Sequence, residues 1–283
     1  MKSSRGFLAP ATRLALTATA AMALVSAAQA ARTGNAGRDD LLQGDAYGHR
    51  VSAAASICAY QAVDISTSGQ VLSPIAASGS VTALDDGAAE LDLAQPFAFY
   101  GASWQRIAVS TNGYVAFIAE PGQEDGGDFN NDPYVPSLPD NARAAAARVL
   151  AYHDELNGEG AGSTLRSAYF ASCPRPSGLG DEACSVVQWK NWSRSASSGT
   201  LDVVLILYHA SAAIALQYAA LDTSAGNSAC IGIQSDGATD GLNWSCNGGR
   251  ALTAGSAICL FDPAHLPPDG NDRLFADGFE SWD

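Results

Sequence analysis

The sequence predicts an all-β protein: an antiparallel β-sandwich with disulfides, carrying a flexible tail at the N-terminal and the C-terminal side of the folded domain. Short runs of alternating apolar and polar residues recur along the chain at regular spacing. Turn pairs such as Asn112-Gly113 and Asp236-Gly237 lie between these runs, and many short strands joined by turns are typical of a sandwich. The chain also has six cysteines, an even number that fits a disulfide framework in an oxidising compartment.

The first 30 residues predict a secretory signal peptide. Three basic residues precede an uncharged run from Leu14 to Ala28, and the tripeptide AQA that ends at Ala30 supplies the small residues that a signal peptidase reads. The uncharged run has about 15 residues, fewer than the roughly 20 that a membrane-spanning helix needs. Residues 31–50 are polar and rich in glycine, so they predict a flexible N-terminal segment.

The charge balance argues against two classes of partner. The chain has 15 basic and 29 acidic residues, and cleavage after residue 30 removes three positive charges, which takes the net charge from −14 to −17. Such an acidic surface repels nucleic acid and anionic lipid. The most membrane-like later stretch, residues 201–221, contains Asp202, His209 and Gln217. It therefore predicts two paired strands rather than a membrane span.

The predicted sandwich domain spans residues 51–262, and its strand-like runs begin at Ser56. These runs are SICAYQAV, QVLSPIA, SVTALD, AELDLAQPFAFY, QRIAVST, GYVAFIA, RVLAYHDEL, LRSAYFAS, CSVVQWKNW, LDVVLILYH, AIALQYAAL, CIGIQSD, LNWSC and AICLF. Only ARAAAAR, residues 142–148, has a helical composition, and it predicts one or two helical turns before the next strand.

Residues 97–117 carry a dense set of bulky apolar side chains. Alternation places Ile107 with Val109, and Val115 with Phe117, on one face of each strand. Burial of a large apolar side chain contributes roughly 1.5–3 kcal/mol. We therefore interpret this segment, including Trp104, as the central hairpin of the core. The alternative is an aromatic platform for a ligand.

The cysteine spacing suggests a connectivity, although six cysteines allow many pairings. Short loops favour two of the pairs and leave the third to join the two ends of the domain, so the predicted disulfides are Cys173–Cys184, Cys230–Cys246 and Cys58–Cys259. The long loop of the third pair would restrict the unfolded chain by on the order of 4 kcal/mol. A metal site is the alternative, but the sequence contains no CxxC pair and no Cys/His cluster with ligand spacing.

Several motifs in residues 59–248 occur in a characteristic order. FAFYG is followed by VSTNGY, RVLAYHDEL, VVQWKNW, LDVVLILYHASAAIALQYAAL and ACIGIQSDG. In this order they resemble nidogen-like extracellular modules, especially the relatives of these modules in secreted bacterial proteins. The resemblance implies a sandwich that contacts extracellular matrix or cell surfaces, and it brings no catalytic residues with it. His153 departs from the pattern, because the family usually carries tryptophan there.

The C-terminal residues form a linker and a tail. PAHLPPDGND, residues 263–272, predicts a Pro/Gly linker. RLFADGFESWD, residues 273–283, resembles a short F-x-D-G-F-E-S tail of many exported bacterial proteins. One interpretation is a sorting or surface-retention signal, and the other is a flexible end whose phenylalanines dock on the sandwich.

The sequence contains none of the common catalytic signatures. It has no G-x-S-x-G elbow, no H-E-x-x-H helix, no Walker loop and no dinucleotide fingerprint. His153 precedes Asp154, but neighbours on a strand point to opposite faces, so we interpret this histidine as packed or solvated. We predict that the protein is not an enzyme. The alternative is a hydrolase that uses carboxylates such as Asp154 and Glu155.

An acidic, glycine-containing loop at residues 120–141 is the candidate cation site. Asp125, Asp128 and Asp132 offer the oxygen ligands that Ca²⁺ prefers. The spacing does not match an EF-hand, and a solvated acidic loop is the alternative interpretation. A structural calcium ion is therefore a hypothesis, and no other cofactor is expected.

These observations predict a secreted, non-catalytic protein that acts in adhesion or recognition at the cell exterior, with a periplasmic location left open. The expected partner is an extracellular glycan or protein. Candidate binding residues are aromatic residues expected to be exposed, Tyr134, Trp192 and Trp244. A passive envelope component without a specific ligand is the other alternative.

Overall fold

The structure is a computed structural model that describes residues 44–130, 135–136, 146–194 and 197–267. The described residues belong to one compact unit. They form β-strands and two short 3₁₀ turns, Asp236–Ala238 and Pro263–His265, without any α-helix in those ranges. The predicted all-β class is confirmed. Over the same ranges, no helix is long and apolar enough to cross a membrane.

The strands in chain order are β1 Arg50–Ser52, β2 Gln70–Val71, β3 Ile75–Ala76, β4 Gly87–Phe99, β5 Ala102–Ser110, β6 Tyr114–Ile118, β7 Arg148–His153, β8 Leu156–Asn157, β9 Thr164–Phe170, β10 Cys184–Arg194, β11 Leu201–Tyr208, β12 Ile214–Ala220, β13 Cys230–Gln234, β14 Gly241–Cys246 and β15 Ser256–Phe261. One sheet has the order β1-β15-β12-β11-β10-β9-β2, with β8 also paired to β10. The other has the order β14-β13-β7-β6-β5-β4-β3. The strand pairs in both sheets are antiparallel.

The main core lies between the two sheets and contains the residues that the central hairpin was expected to bury. Ile107, Val109, Val115 and Phe117 all belong to it, and the ring of Phe117 stacks on that of Phe97 with centroids 5.5 Å apart. The predicted alternation of this hairpin is confirmed. Its strands turn at Asn112-Gly113, where Gly113 has a φ of 76° and a Cβ would lie 2.1 Å from the carbonyl oxygen of Tyr152.

Both sheets are also covered on their outer faces. On β11, Val203, Leu205 and Leu207 face the main core, while the alternate residues Val204, Ile206 and Tyr208 belong to a second cluster. That cluster includes residues of the segment 57–65, which therefore covers the outer face of the eight-stranded sheet. β11 is buried on both faces, and its sequence from Val203 to Leu207 is continuously apolar, as in strands that are covered on two sides.

A third, smaller cluster lies on the outer face of the seven-stranded sheet. It contains Tyr114, Ile118 and Leu150, and the loop residue Val135 covers it. Apolar layers thus cover part of the outer face of each sheet, while β4 and the start of β5 keep exposed residues such as Ala94, Ala98 and Gln105.

The chain has three disulfides, and their pairing is the one predicted from the spacing. Cys58–Cys259, Cys173–Cys184 and Cys230–Cys246 are bonded. The first joins residues 201 positions apart and fixes the covering segment to β15 beside its pairing with β1.

Two predicted strands are wrong, and the described part of the predicted helix is not helical. SICAYQAV and SVTALD form turns and irregular chain instead of strands. SICAYQAV has the apolar content of a strand because Ile57, Cys58, Tyr60 and Val63 pack in the second cluster. Just after this run, Ile65 N donates to the side chain of Gln188 at 2.8 Å. For the helix, Ala146 and Ala147 are not helical and Arg148 begins β7, while residues 142–145 lie outside the described ranges.

The predicted ends of the domain are described in part. Residues 44–50, expected to belong to a flexible segment, pack against the domain, and His49 is buried. Residues 1–43, which include the predicted signal peptide, lie outside the described residues. So do residues 268–283, which include the C-terminal tail.

Candidate functional site

Three neighbouring clefts meet at Trp104, near the start of β5. The first has a volume of about 450 Å³, and its walls include Tyr47, Tyr100 and Asp240. The second, about 430 Å³, extends along Arg106 and Glu120. The third, about 360 Å³, is lined by Phe117 and Asp236. We call the combined surface, formed by Tyr47, Tyr100, Trp104, Glu120, Asp236 and Asp240, the Trp104 groove.

Trp104, like Tyr100, is a bulky residue of residues 97–117 that the core buries only in part. Trp104 lies opposite Phe97 in the β4–β5 register, and the centroid of its ring is 5.9 Å from that of Phe117. Its indole Nε1 donates to the carbonyl oxygen of Phe99 at 3.4 Å. The side chain is therefore held in place by the core while part of its surface remains exposed to the groove.

The segment at residues 45–49 forms one wall of the groove. The Asp45 carboxylate accepts hydrogen bonds from the Tyr100 hydroxyl at 2.6 Å and from the backbone N–H of His49 at 2.8 Å, and lies 2.9 Å from His49 Nδ1. The Tyr47 ring stacks on the His49 ring with centroids 4.8 Å apart. The Asp240 carboxylate accepts from the backbone N–H groups of Ala46 at 3.1 Å and Tyr47 at 2.7 Å, which attaches this wall to the β13–β14 turn.

The electrostatics of this wall follow from the same hydrogen bonds. Burial alone would raise the pKa of Asp45, but the hydrogen bonds from His49 and Tyr100 outweigh it, so this pKa lies below its ordinary value. Burial and the neighbouring Asp45 carboxylate raise the pKa of Tyr100. The carboxylate therefore stays ionised, and the phenol stays protonated and able to donate to it.

The exposed face of the groove is acidic. Glu120 and Asp236 are exposed, and Asp92 forms an ion pair with Arg106, with 2.7 Å between Oδ1 and Nε. The groove thus combines aromatic faces with carboxylates that line the same clefts as Trp104. Such a combination suits ligand binding by stacking and by charge.

A separate buried charge cluster holds the acidic loop against the outer face of the seven-stranded sheet. Arg148, on β7, lies 2.7 Å from Glu124 Oε2 and 2.5 Å from Asp128 Oδ2 through its two terminal nitrogens. Its guanidinium carbon is 4.4 Å from the centroid of the Tyr114 ring, and the Tyr114 hydroxyl donates to Glu124 Oε1 at 3.0 Å. His153 Nε2 lies 3.0 Å from the carbonyl oxygen of Asp128, an acceptor, so this nitrogen carries the proton.

The residues of the calcium hypothesis have separate roles in this loop. Asp128 pairs with Arg148, and Asp125 Oδ1 accepts from the backbone N–H of Gly127 at 3.1 Å. Asp132 lies outside the described residues. Within the ranges that the structure describes, no group of three or more His, Cys, Asp or Glu side chains is arranged to hold a metal ion. The calcium hypothesis stays a prediction.

The structure does not bring the predicted aromatic binding residues together on a surface. Trp192 is fully buried and donates from Nε1 to the carbonyl oxygen of Thr111 at 2.8 Å, so its predicted exposure is wrong. The β10 ladder shifts register between Trp189 and Trp192, and Asn191 has a φ of 55°. This bulge turns both tryptophans into the core, whereas strict alternation would place them on opposite faces.

Trp244 is also buried, in the main core, so its predicted exposure is wrong too. The Arg250 guanidinium carbon lies 5.7 Å from the centroid of its ring. Tyr134 lies outside the described residues.

The carboxylates of the alternative hydrolase differ in exposure. Asp154 is buried, and its Oδ2 accepts from the Ser228 hydroxyl at 2.5 Å, while Glu155 is exposed. Neither belongs to the Trp104 groove.

A serine–histidine contact was not identified from the sequence. Ser185 Oγ lies 2.9 Å from His209 Nε2, and His209 Nδ1 lies 3.2 Å from the carbonyl oxygen of Pro96. Burial lowers the pKa of His209. Ser185 is itself buried, and neither residue lines the clefts that meet at Trp104. We therefore assign this contact to the packing of β10 against β11.

The fold and the groove define a class of protein: a disulfide-bonded antiparallel β-sandwich with an aromatic and acidic groove at one end. The chain belongs to the NIDO-related family, whose model matches residues 52–258. The resemblance to nidogen-like modules is confirmed at the level of this family. A search of the curated proteins gave no match, and a search of the solved structures also gave none.

Proposed function

We propose that this protein is an exported, non-catalytic module for adhesion or recognition at the cell exterior, and that the Trp104 groove is its binding face. The observation that carries the proposal is the partly exposed Trp104 at the meeting point of three clefts. Aromatic side chains that offer a large rigid surface at low entropic cost are enriched in recognition sites.

Export is supported by three features. Three disulfides in one chain are typical of proteins that fold in oxidising compartments, and residues 1–30 have the pattern of a signal peptide. The resemblance of residues 273–283 to tails of exported bacterial proteins supports export from a bacterial cell. The tail then acts as a sorting or retention signal.

A binding array tests the proposed binding face. Purified protein is applied to immobilised glycans and extracellular-matrix proteins, beside the variants Trp104→Ala and Tyr169→Ala. Tyr169 is an exposed aromatic residue of β9, outside the groove, and serves as the matched control. We expect hits that Trp104→Ala loses and Tyr169→Ala keeps. An array without hits favours a passive envelope component.

Cell fractionation tests the location. The full-length protein is expected in the surface or extracellular fraction, cleaved after residue 30, and deletion of residues 273–283 is expected to shift the ratio of cell-bound to released protein. An unchanged ratio contradicts the sorting role of the tail. Uncleaved protein in the cytoplasm contradicts export.

A further inference from the structure

We propose that the Trp104 groove binds a basic segment of a partner protein, with a lysine or arginine side chain placed over the indole of Trp104. This inference rests on the proposed function, because it names the ligand chemistry of the same site. It distinguishes a cationic ligand from a neutral glycan, which aromatic residues also bind.

Charge complementarity is the first argument. Among the residues that the structure describes, the groove and its rim contain four carboxylates, from Asp92, Glu120, Asp236 and Asp240, and one basic side chain, Arg106. Arg106 is already paired with Asp92. The net charge of the whole chain is −14. A basic segment would therefore be attracted to the groove at long range and paired within it at contact.

The position of the carboxylates relative to Trp104 is the second argument. Asp236 lines two of the clefts that Trp104 also lines, and Glu120 lines the third. Both are exposed. A cation over the ring can thus gain the cation–π interaction and an ion pair at the same time. A neutral sugar would gain only stacking and hydrogen bonds from the same residues.

The protein uses this combination inside its own fold. Arg148 lies over the face of Tyr114 and pairs with Glu124 and Asp128. In the groove the aromatic ring and the carboxylates are arranged on a surface, and the proposed ligand supplies the cation. The exposed arrangement therefore fits a side chain from another molecule.

Titration calorimetry with defined peptides tests the inference. The probe is a capped peptide of alternating arginine and glycine, and the matched probe replaces each arginine by citrulline, which keeps the shape and removes the charge. We expect the arginine peptide to bind. Its affinity should fall as salt is raised from about 50 to about 200 mM, because the added salt shortens the screening length of the charges. The citrulline peptide is expected not to bind.

Four single substitutions, three in the groove and one outside it, separate the groove from the general acidity of the protein. Asp236→Asn and Glu120→Gln are each expected to weaken binding roughly two- to fivefold, as is Trp104→Ala. Glu159→Gln makes the same charge change on an exposed residue outside the groove and is expected to leave the affinity unchanged. Because Asp236 and Glu120 are exposed, their variants test binding even if Trp104→Ala is unstable.

Each outcome has one meaning. If Glu159→Gln and Asp236→Asn lower the affinity for the arginine peptide equally, the inference is wrong, because the affinity then depends only on the overall charge of the protein. If the citrulline peptide binds, or if an array glycan binds and its binding needs Trp104, the proposal of a cationic ligand is wrong. The proposed binding face stands in that case. If Trp104→Ala changes the binding of no ligand at all, the proposed binding face is wrong as well.

Discussion

Replacement of Arg148 by methionine is expected to destabilise the protein strongly. Arg148 is fully buried, and its two terminal nitrogens contact the carboxylates of Glu124 and Asp128. Methionine fills much of the same space and removes the charge. It leaves two carboxylates, one of them fully buried, without their cation.

The expected loss follows from the burial of this cluster. Removing one partner of a buried ion pair costs about 3–5 kcal/mol, because the remaining charge is desolvated and uncompensated. Glu124 would keep the hydrogen bonds from Tyr114 and from the backbone N–H of Gly126, which limits the loss. The triple variant Arg148→Met, Glu124→Gln, Asp128→Asn removes all three charges and is expected to recover a large part of it.

Urea unfolding at pH 7.5 with intact disulfides, followed by circular dichroism, measures these free energies. Arg106→Met is the control, since it breaks the exposed ion pair with Asp92 and should leave the unfolding midpoint unchanged. A loss below about 1 kcal/mol in Arg148→Met, or a triple variant no more stable than the single one, refutes the reasoning.

Three further predictions concern pH, covalent structure and calcium. Burial lowers the pKa of His153, so below about pH 6.5 the unfolded chain binds a proton that the folded protein does not bind, and the free energy of unfolding falls. Between pH 7.5 and pH 5, urea unfolding of His153→Gln should show a smaller decrease in this free energy than the wild type shows. An equal decrease contradicts the assignment. Joint replacement of Cys58 and Cys259 by alanine should lower the free energy of unfolding by about 5 kcal/mol in the chain-entropy model. The same urea unfolding curves measure this loss, and an unchanged midpoint would show that the bond does not stabilise the fold. If the acidic loop binds calcium, saturating calcium should raise the melting temperature over that in chelator, and Asp125→Asn should reduce the rise; identical melts remove the hypothesis.

The sequence predicted the parts of the fold that depend on neighbouring residues. Ile107, Val109, Val115 and Phe117 entered the core because alternation along one hairpin decides the face of each side chain. The two short disulfide loops followed from proximity along the chain, and the long pair then followed from the cysteines that remained.

Other features could not be predicted because they depend on distant or irregular contacts. SICAYQAV has the apolar content of a strand, but it is a covering segment, and composition does not distinguish the two. Trp192 was misplaced because one bulged position, Asn191, reverses the alternation after it. The Trp104 groove joins Tyr47, Trp104 and Asp236 from separate parts of the chain, and only the strand order brings them together.

The Cys58–Cys259 bond has a mechanical consequence. β1 and β15 are paired near the two ends of the described chain, where Ser52 lies opposite Cys259, and the disulfide joins this same Cys259 to Cys58. Tension applied between residue 44 and residue 267 therefore passes along residues 44–58, across the two sulfur atoms, and along residues 259–267. Most of both sheets lies outside this path, so the bond limits how far the fold can be extended by force until it is reduced.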